Sequence, residues 1–275
     1  MPGHVDSHVH LLPERLGAAI RRFFAEAGMP ERTYAYPLDH GVVLDDMAVA
    51  GVDEVWTLPY ARRPGTAAGL NAATATIAAG WAGHPVTVRP GATVHPGDDD
   101  PAGVVRAAVE EGGARVLKLH CSVGDYAPDD RRLDAVWAYV SEVRLPVVVH
   151  AGHAPSGHTG ADELAPVGEV ARRWPDAPVI IAHCGHRAAS TALAMLADHP
   201  ALHADLTPVV TELVALPVAA ARAVADRLLF GSDAPNTGFR VAAALAAVTA
   251  TFPDPSERDA VLGGTARRLQ AQLRA

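Results

Sequence analysis

The feature that most constrains this chain is an alternation. Eight short runs rich in Val, Ile and Leu recur along it: "HVDSHVHL", "VDEVWTLPY", "RPGATVHP", "ARVLKLHC", "LPVVVHAG", "APVIIAHCG", "ALHADLTP" and "RLLFGSDAP". Between them lie alanine-rich segments with apolar residues at helical spacing, among them 101–113, 129–143, 161–175 and 211–225. Asp129 and Asp130 stand in the first turn of one such segment, and Gly112 and Gly113 follow the last turn of another. Strands that are apolar on both faces must be covered on both, which predicts a parallel sheet wrapped by helices. Eight such units in 275 residues predict an α/β protein with a closed (β/α)8 TIM-type barrel, in one domain over 1–275. The competing open, doubly wound sheet calls for a Gly-rich phosphate loop after the first strand, and none is present.

Composition narrows the partners. The formal charge of -8 arises from 31 acidic against 23 basic residues, with no basic run or interleaved aromatic patch to follow a phosphate backbone. A small-molecule substrate is therefore expected rather than nucleic acid. Cys121 and Cys184 are too few for a disulfide framework, which points to a reduced, cytoplasmic protein. The start "MPGHVDSHVH" has neither a basic nor an apolar leader region, and no run reaches the roughly 18 apolar residues of a membrane span. No membrane partner is expected. Association into a homo-oligomer is compatible with the sequence.

The polar residues that interrupt this pattern fall at strand ends. In "VDSHVHLLP", His8 and His10 share one face of a strand with Asp6, an arrangement that suits a metal clamp or an ordinary strand facing polar loops. Further on, Lys118 and His120 end the fourth apolar run, His150 the fifth, His183 the sixth and Asp233 the eighth. The C-terminal strand ends form the active face of this kind of barrel. Finishing a core strand such as "PVVVH" in a polar residue costs about 1 to 3 kcal/mol unless something there engages it. Three histidines and a carboxylate at one barrel mouth match the nitrogen and oxygen donors of a divalent ion, Zn²⁺ first. Each residue keeps a plainer alternative: a capped core histidine for His150, an orienting neighbour for His183, and a helix N-cap for Asp233, a job that Asn236 and Thr237 could also fill. Both cysteines read as small buried hydrophobes.

Taken in order, "DSHVHLLP", "VVVHAG", "VIIAHCG", "LLFGSDAP" and "VLGGTARRL" resemble the amidohydrolase superfamily. More narrowly they resemble its amidohydrolase-related branch, which includes the aminocarboxymuconate-semialdehyde decarboxylase type. The resemblance runs from residue 5 to about residue 270. It implies a distorted (β/α)8 barrel in which His8, His10, His150 and Asp233 hold one metal, while His183 assists the water bound to it. Some superfamily members carry at the fourth strand a lysine carboxylated on its amine that bridges two metals. Lys118 occupies that strand, and its plainer role is a substrate-binding cation or a partner of nearby carboxylates.

The chemistry expected is hydrolysis of an amide, lactone or related ester, with Asp233 and His183 as the catalytic pair: Asp233 carries the proton and His183 steadies the nucleophile or the developing oxyanion. The alternative is non-oxidative decarboxylation of an unsaturated or aromatic acid, a reaction of the same branch. The short segment between the second and third strands speaks against it. A metal-binding barrel without catalysis is a third reading, opposed by the retention of both His183 and Asp233. Lys118, His120, Arg62 and Arg63 are candidate substrate contacts, and His95, His153 and His158 lie at or beyond strand ends.

Overall fold

The computed structural model of the protein describes residues 3–26, 34–151, 160–207 and 216–274. Its strands are β1 (His4–Val9), β2 (Val52–Thr57), β3 (Thr87–Thr93), β4 (Val116–Leu119), β5 (Val147–Val149), β6 (Val179–Ile181), β7 (Leu202–Asp205) and β8 (Leu228–Leu229). They form one eight-stranded sheet in sequential order, each consecutive pair from β1 to β8 parallel, with helices between them. All eight apolar runs thus become strands.

The ring closes where the last strand is least regular. β8 makes a ladder of only two residues with β7, but the chain continues beside β1. Ser7 N–H donates to the Phe230 carbonyl (2.9 Å), Asp233 N–H to the His8 carbonyl (2.9 Å), and His10 N–H to the Ala234 carbonyl (2.7 Å). Gly231 permits this approach, because a Cβ there would overlap the Thr207 hydroxyl and stand 2.8 Å from His8 Cβ.

Strand parity sorts the apolar side chains into two sets. Leu117, Leu119, Val147, Val149, Val179, Ile181, Leu202 and Ala204 face outward and pack with helical residues such as Val105, Val136, Val167 and Leu193. Val116, Val148, Ile180, Ala182 and Leu229 face inward with Val5, Trp56 and Leu58, and fill the lumen as a packed core. Ala266 and Leu269, from the C-terminal helix Thr265–Gln272, belong to this inner set. Arg115, just before β4, accepts a hydrogen bond from Gln270 of that helix at its carbonyl (3.0 Å), so the helix lies across the N-terminal end of the barrel.

Helix ends follow local chemistry. The segment expected over 101–113 is helical at Pro101–Glu110, with Asp100 as the cap that accepts from Gly103 N–H and proline in the first turn. Gly113 then turns the chain at a φ of 68°. The expected helix 129–143 opens as a 3-10 turn, Arg131–Leu133, capped by Asp130, and becomes α-helical at Asp134–Val143. The segment 161–175 corresponds to the helix Gly160–Arg173. Of the helix expected over 211–225, the described part is Val218–Ala223, which starts directly after Pro217; residues 208–215 lie outside the described residues. No helix among the described residues is long and apolar enough to cross a membrane.

Candidate metal centre

The inward parity that builds the lumen continues at the C-terminal ends of the strands, where it carries polar side chains. Past Val116 come Lys118 and His120, past Val148 comes His150, past His203 come Asp205 and Thr207, and past Leu229 comes Asp233. His183 breaks this rule, since Ala182 already occupies the inward position of β6. The chain re-aims it by leaving the strand: His183, Cys184, Gly185 and His186 take positive φ values of 57°, 47°, 68° and 50°. Non-glycine residues in this region cost about 1 to 3 kcal/mol each, so the surroundings must hold them there. The turn brings the His183 ring centroid 4.9 Å from that of His8 and 4.8 Å from that of His150. Asp233 is likewise left-handed (φ 62°) and caps no helix; the next helix, Val241–Thr251, begins after Arg240.

His8, His10 and Asp233 offer ligand atoms that all lie within 4.8 Å of one another, as do His8, His183 and Asp205. His10 Nε2 stands 3.1 Å and His8 Nε2 4.0 Å from Asp233 Oδ1. Fixed acceptors set the ring tautomers. His10 Nδ1–H donates to the Leu58 carbonyl (2.7 Å), His183 Nδ1–H to the Thr207 carbonyl (2.6 Å), and His8 Nδ1–H to Asp205 Oδ2 (2.8 Å). With its proton on Nδ1, His183 presents a bare Nε2 to His150 Nδ1–H at 3.1 Å. That leaves His150 Nε2 bare as well, buried and with no hydrogen-bond partner. The three expected ligand histidines therefore each keep a lone pair on Nε2, the form that binds a metal. A lone pair and a carboxylate oxygen facing each other at 3.1 Å, as in His10 and Asp233, repel unless a proton or a cation lies between them. The donor set fits a divalent ion. His150 stands one step back from the closest ligand group, joined to it through His183.

Burial keeps the His8, His120 and His150 imidazoles neutral. It pushes His8 down to about 3, with Lys118 adding to the effect, and it holds His150 and His120 well below the usual histidine value. Burial alone would raise Asp205 and Asp233, but His8 hydrogen-bonded to the first, and a proton held between His10 Nε2 and the second when no cation lies there, keep both far below the ordinary carboxylate range. Asp233, 18% exposed, is the member of its ligand group that meets solvent. Asp6 ties β1 to the β8 extension by accepting from His8 N–H (3.2 Å) and Ser232 N–H (3.0 Å), and burial raises its carboxyl to about 7.

Lys118 is fully buried, with Nζ 3.3 Å from His8 Nε2, and burial lowers its ammonium to about 8 against the pull of Asp205 and Asp233. His120 stacks on His150 at 3.9 Å between centroids, with the Tyr60 ring 4.8 Å away. Arg62 and Arg63 are exposed on the segment after β2. His95 serves the loop that carries it: Nε2–H donates to the Gly124 carbonyl and Nδ1 accepts from Gly97 N–H, both at 3.0 Å. Cys121 and Cys184 are buried free thiols. His153 and His158 lie outside the described residues. Two contributors escaped the reading of the sequence, Tyr60 and Asp205. Asp205 had a signal, since in "ALHADLTP" it alternates with the apolar Leu202, Ala204 and Leu206 and so takes an inward position.

The family model described as "Amidohydrolase" matches residues 5–269. No curated protein matches the chain. Among solved structures, an uncharacterised TIM-barrel protein from Bordetella bronchiseptica is 21% identical, covers 98% of each chain and superposes with a TM-score of 0.73. A 4-oxalomesaconate hydratase from Rhodopseudomonas palustris is 19% identical over 98% of this chain and 96% of its own, at a TM-score of 0.66. A dihydroxybenzoic acid decarboxylase from a Polaromonas species, solved with bound manganese and an inhibitor, is 16% identical over 98% and 97%, at 0.69. Likeness at these identities shows the fold.

Proposed function

The chain belongs to the amidohydrolase family, and from that premise we propose that it is a metal-dependent hydrolase acting on an amide, lactone or related ester of a small molecule. The observation that carries this reading is the set of bare Nε2 lone pairs on His8, His10 and His150 together with the Asp233 carboxylate. His8, His10 and Asp233 form the core of the ligand set, with His150 as its fourth member. A nitrogen-rich set of this kind favours Zn²⁺, one ion per chain, and Mn²⁺ is the ion that accompanies the similar decarboxylase. When bound, such an ion supplies Lewis acidity and makes water acidic enough to react at neutral pH.

The remaining steps belong to the chain's own residues. Asp233, ionised and open to solvent on one side, accepts the proton of the attacking water and returns it to the leaving group. His183, held at a fixed angle by the Thr207 carbonyl, stands next to the developing negative charge and also orients His150. Lys118 and His120, with Arg62 nearer to solvent, are the candidate substrate contacts. Decarboxylation of a planar unsaturated or aromatic acid is the second reading. It is favoured by the stacked His120 and His150 rings beside Tyr60, a flat wall next to the ligand group, and by the likeness to the decarboxylase. There Asp233 would take a proton from water and pass it to the carbon that loses CO₂.

The test is metal analysis of protein purified without chelator, followed by a screen of lactones, amides and carboxylic acids with Zn²⁺ and with Mn²⁺. Turnover of a lactone or amide that chelation abolishes is the expected result. Release of CO₂ from an acid with no hydrolysis would replace the first reading by the second. Protein that purifies and stays free of divalent metal would overturn both.

A further inference from the structure

We infer that Asp205 is a positioning residue that fixes the proton of His8 on Nδ1, and thereby decides whether the first histidine of the cluster can bind a metal at all. The inference rests on the metal-centre reading above and concerns a residue that this reading leaves without a role.

Asp205 is fully buried at the end of β7, and its two oxygens have different partners. Oδ1 accepts from His183 N–H at 2.9 Å and from Thr207 N–H at 3.2 Å. Oδ2 accepts from His8 Nδ1–H at 2.8 Å. The first pair of bonds can be made only by an acceptor, because backbone N–H groups donate and cannot switch. They therefore lock the carboxylate in one orientation, and the second oxygen meets the His8 ring in a fixed place. One carboxylate so controls two parts of the site: it chooses the His8 tautomer, and it holds the backbone of His183 at the start of its left-handed turn.

The geometry makes asparagine at this position worse than a neutral replacement. In Asp205→Asn the amide oxygen must remain on the two N–H donors, so the NH₂ group is forced to face His8 Nδ1. That nitrogen then has to accept, and the ring proton moves to Nε2, which lies 4.0 Å from Asp233 Oδ1, able to accept it, and 3.3 Å from Lys118 Nζ, whose hydrogens must turn away. The side chain keeps its shape, volume and two backbone bonds, while the lone pair needed by the metal is lost. In Asp205→Ala no donor forces the proton off Nδ1, and Lys118 Nζ, 3.3 Å from Nε2, favours leaving Nε2 bare, although His183 N–H and Thr207 N–H lose their acceptor.

Three measurements test this. In metal-free protein, long-range ¹H–¹⁵N correlation of the histidine rings, with the His8 signal identified by its loss in His8→Gln, should show Nδ1–H in the unsubstituted chain and Nε2–H in Asp205→Asn. Affinity for Zn²⁺, read by competition with a chromophoric chelator, should fall on the order of 100-fold in Asp205→Asn, the upper end of what loss of a partner behind a ligand costs. It should fall no further in Asp205→Ala, even though the alanine variant melts at the lower temperature. If Asp205 acts only through packing, the order reverses, with the asparagine variant binding Zn²⁺ nearly as well as the unsubstituted chain and the alanine variant weakly. That order, or Nδ1–H retained in Asp205→Asn, overturns the inference. The ring measurement needs no metal, so an unsubstituted chain that binds no Zn²⁺ yet shows the tautomer switch would refute the metal-centre reading and leave the role of Asp205 standing.

Discussion

Acid should loosen this barrel through a histidine remote from the metal centre. His203 lies on β7 below Asp205, buried, with Nδ1–H on the Ala201 carbonyl at 3.0 Å. Burial pushes its pKa from 6.5 down to about 4; Arg268 and Arg227 work in the same direction, and the Ala201 bond and Asp226 oppose it. The folded ring stays neutral while the unfolded ring protonates, so between pH 6.5 and about 4 the unfolded chain binds more protons. Stability is therefore complete above 6.5, drains away as pH falls through this window, and levels off below it. At about 1.4 kcal/mol per unit, the shift is worth about 3 kcal/mol in a group this buried. Urea unfolding of metal-free protein from pH 7.5 to 4 should show the unsubstituted chain losing about 3 kcal/mol more than His203→Gln, which keeps a donor for Ala201 but cannot titrate. Other groups titrate in both proteins and cancel in the comparison. Parallel stability curves, apart by a constant, would refute the assignment whatever the absolute stabilities.

The other expectations concern the site. His8→Ala should lose both metal and activity, whereas His183→Ala should keep its metal within about 10- to 100-fold of normal affinity while turnover falls on the order of 10² to 10⁴; metal loss as complete as in His8→Ala would make His183 a ligand. If Lys118 is an unmodified amine, metal content should approach one per chain, and a count near two that Lys118→Ala reduces would show a carboxylated bridge instead. Gly231→Ala should lower stability by about 1 to 3 kcal/mol and weaken metal binding, because its methyl would push on Thr207 and on His8 Cβ. An unchanged melting curve and affinity would contradict the close approach of β8 to β1.

The strand ends were legible in the sequence for a physical reason: a run such as Val147–Val149 is buried on both faces, and a histidine placed directly after it has to be used. His8, His10, His150 and Asp233 are proposed as ligands on this ground. The same logic placed His183 by sequence position but not by geometry, since a continued strand would have pointed it outward and only the left-handed turn brings it in. Asp205 is harder to read from sequence because its run mixes polar and apolar residues, although His203, Asp205 and Thr207 share the inward parity of β7. The tautomers depend on the carbonyls of Leu58 and Thr207, groups that every residue carries and no sequence distinguishes. The closure through Phe230–Ala234 was hidden similarly, because it is made by backbone bonds outside a regular ladder.

The helix Thr265–Gln272 works as a cork. Its Ala266 and Leu269 sit among Val5, Trp56 and Leu229, at the opposite end of the lumen from the histidines. Among the described residues the cluster therefore rests on an apolar floor of Val116, Val148, Ile180 and Leu229. Residues that touch nothing in the site thus govern it from beneath, since uncorking the floor would let water in behind His8 and Asp205 and weaken the bond that sets the ring.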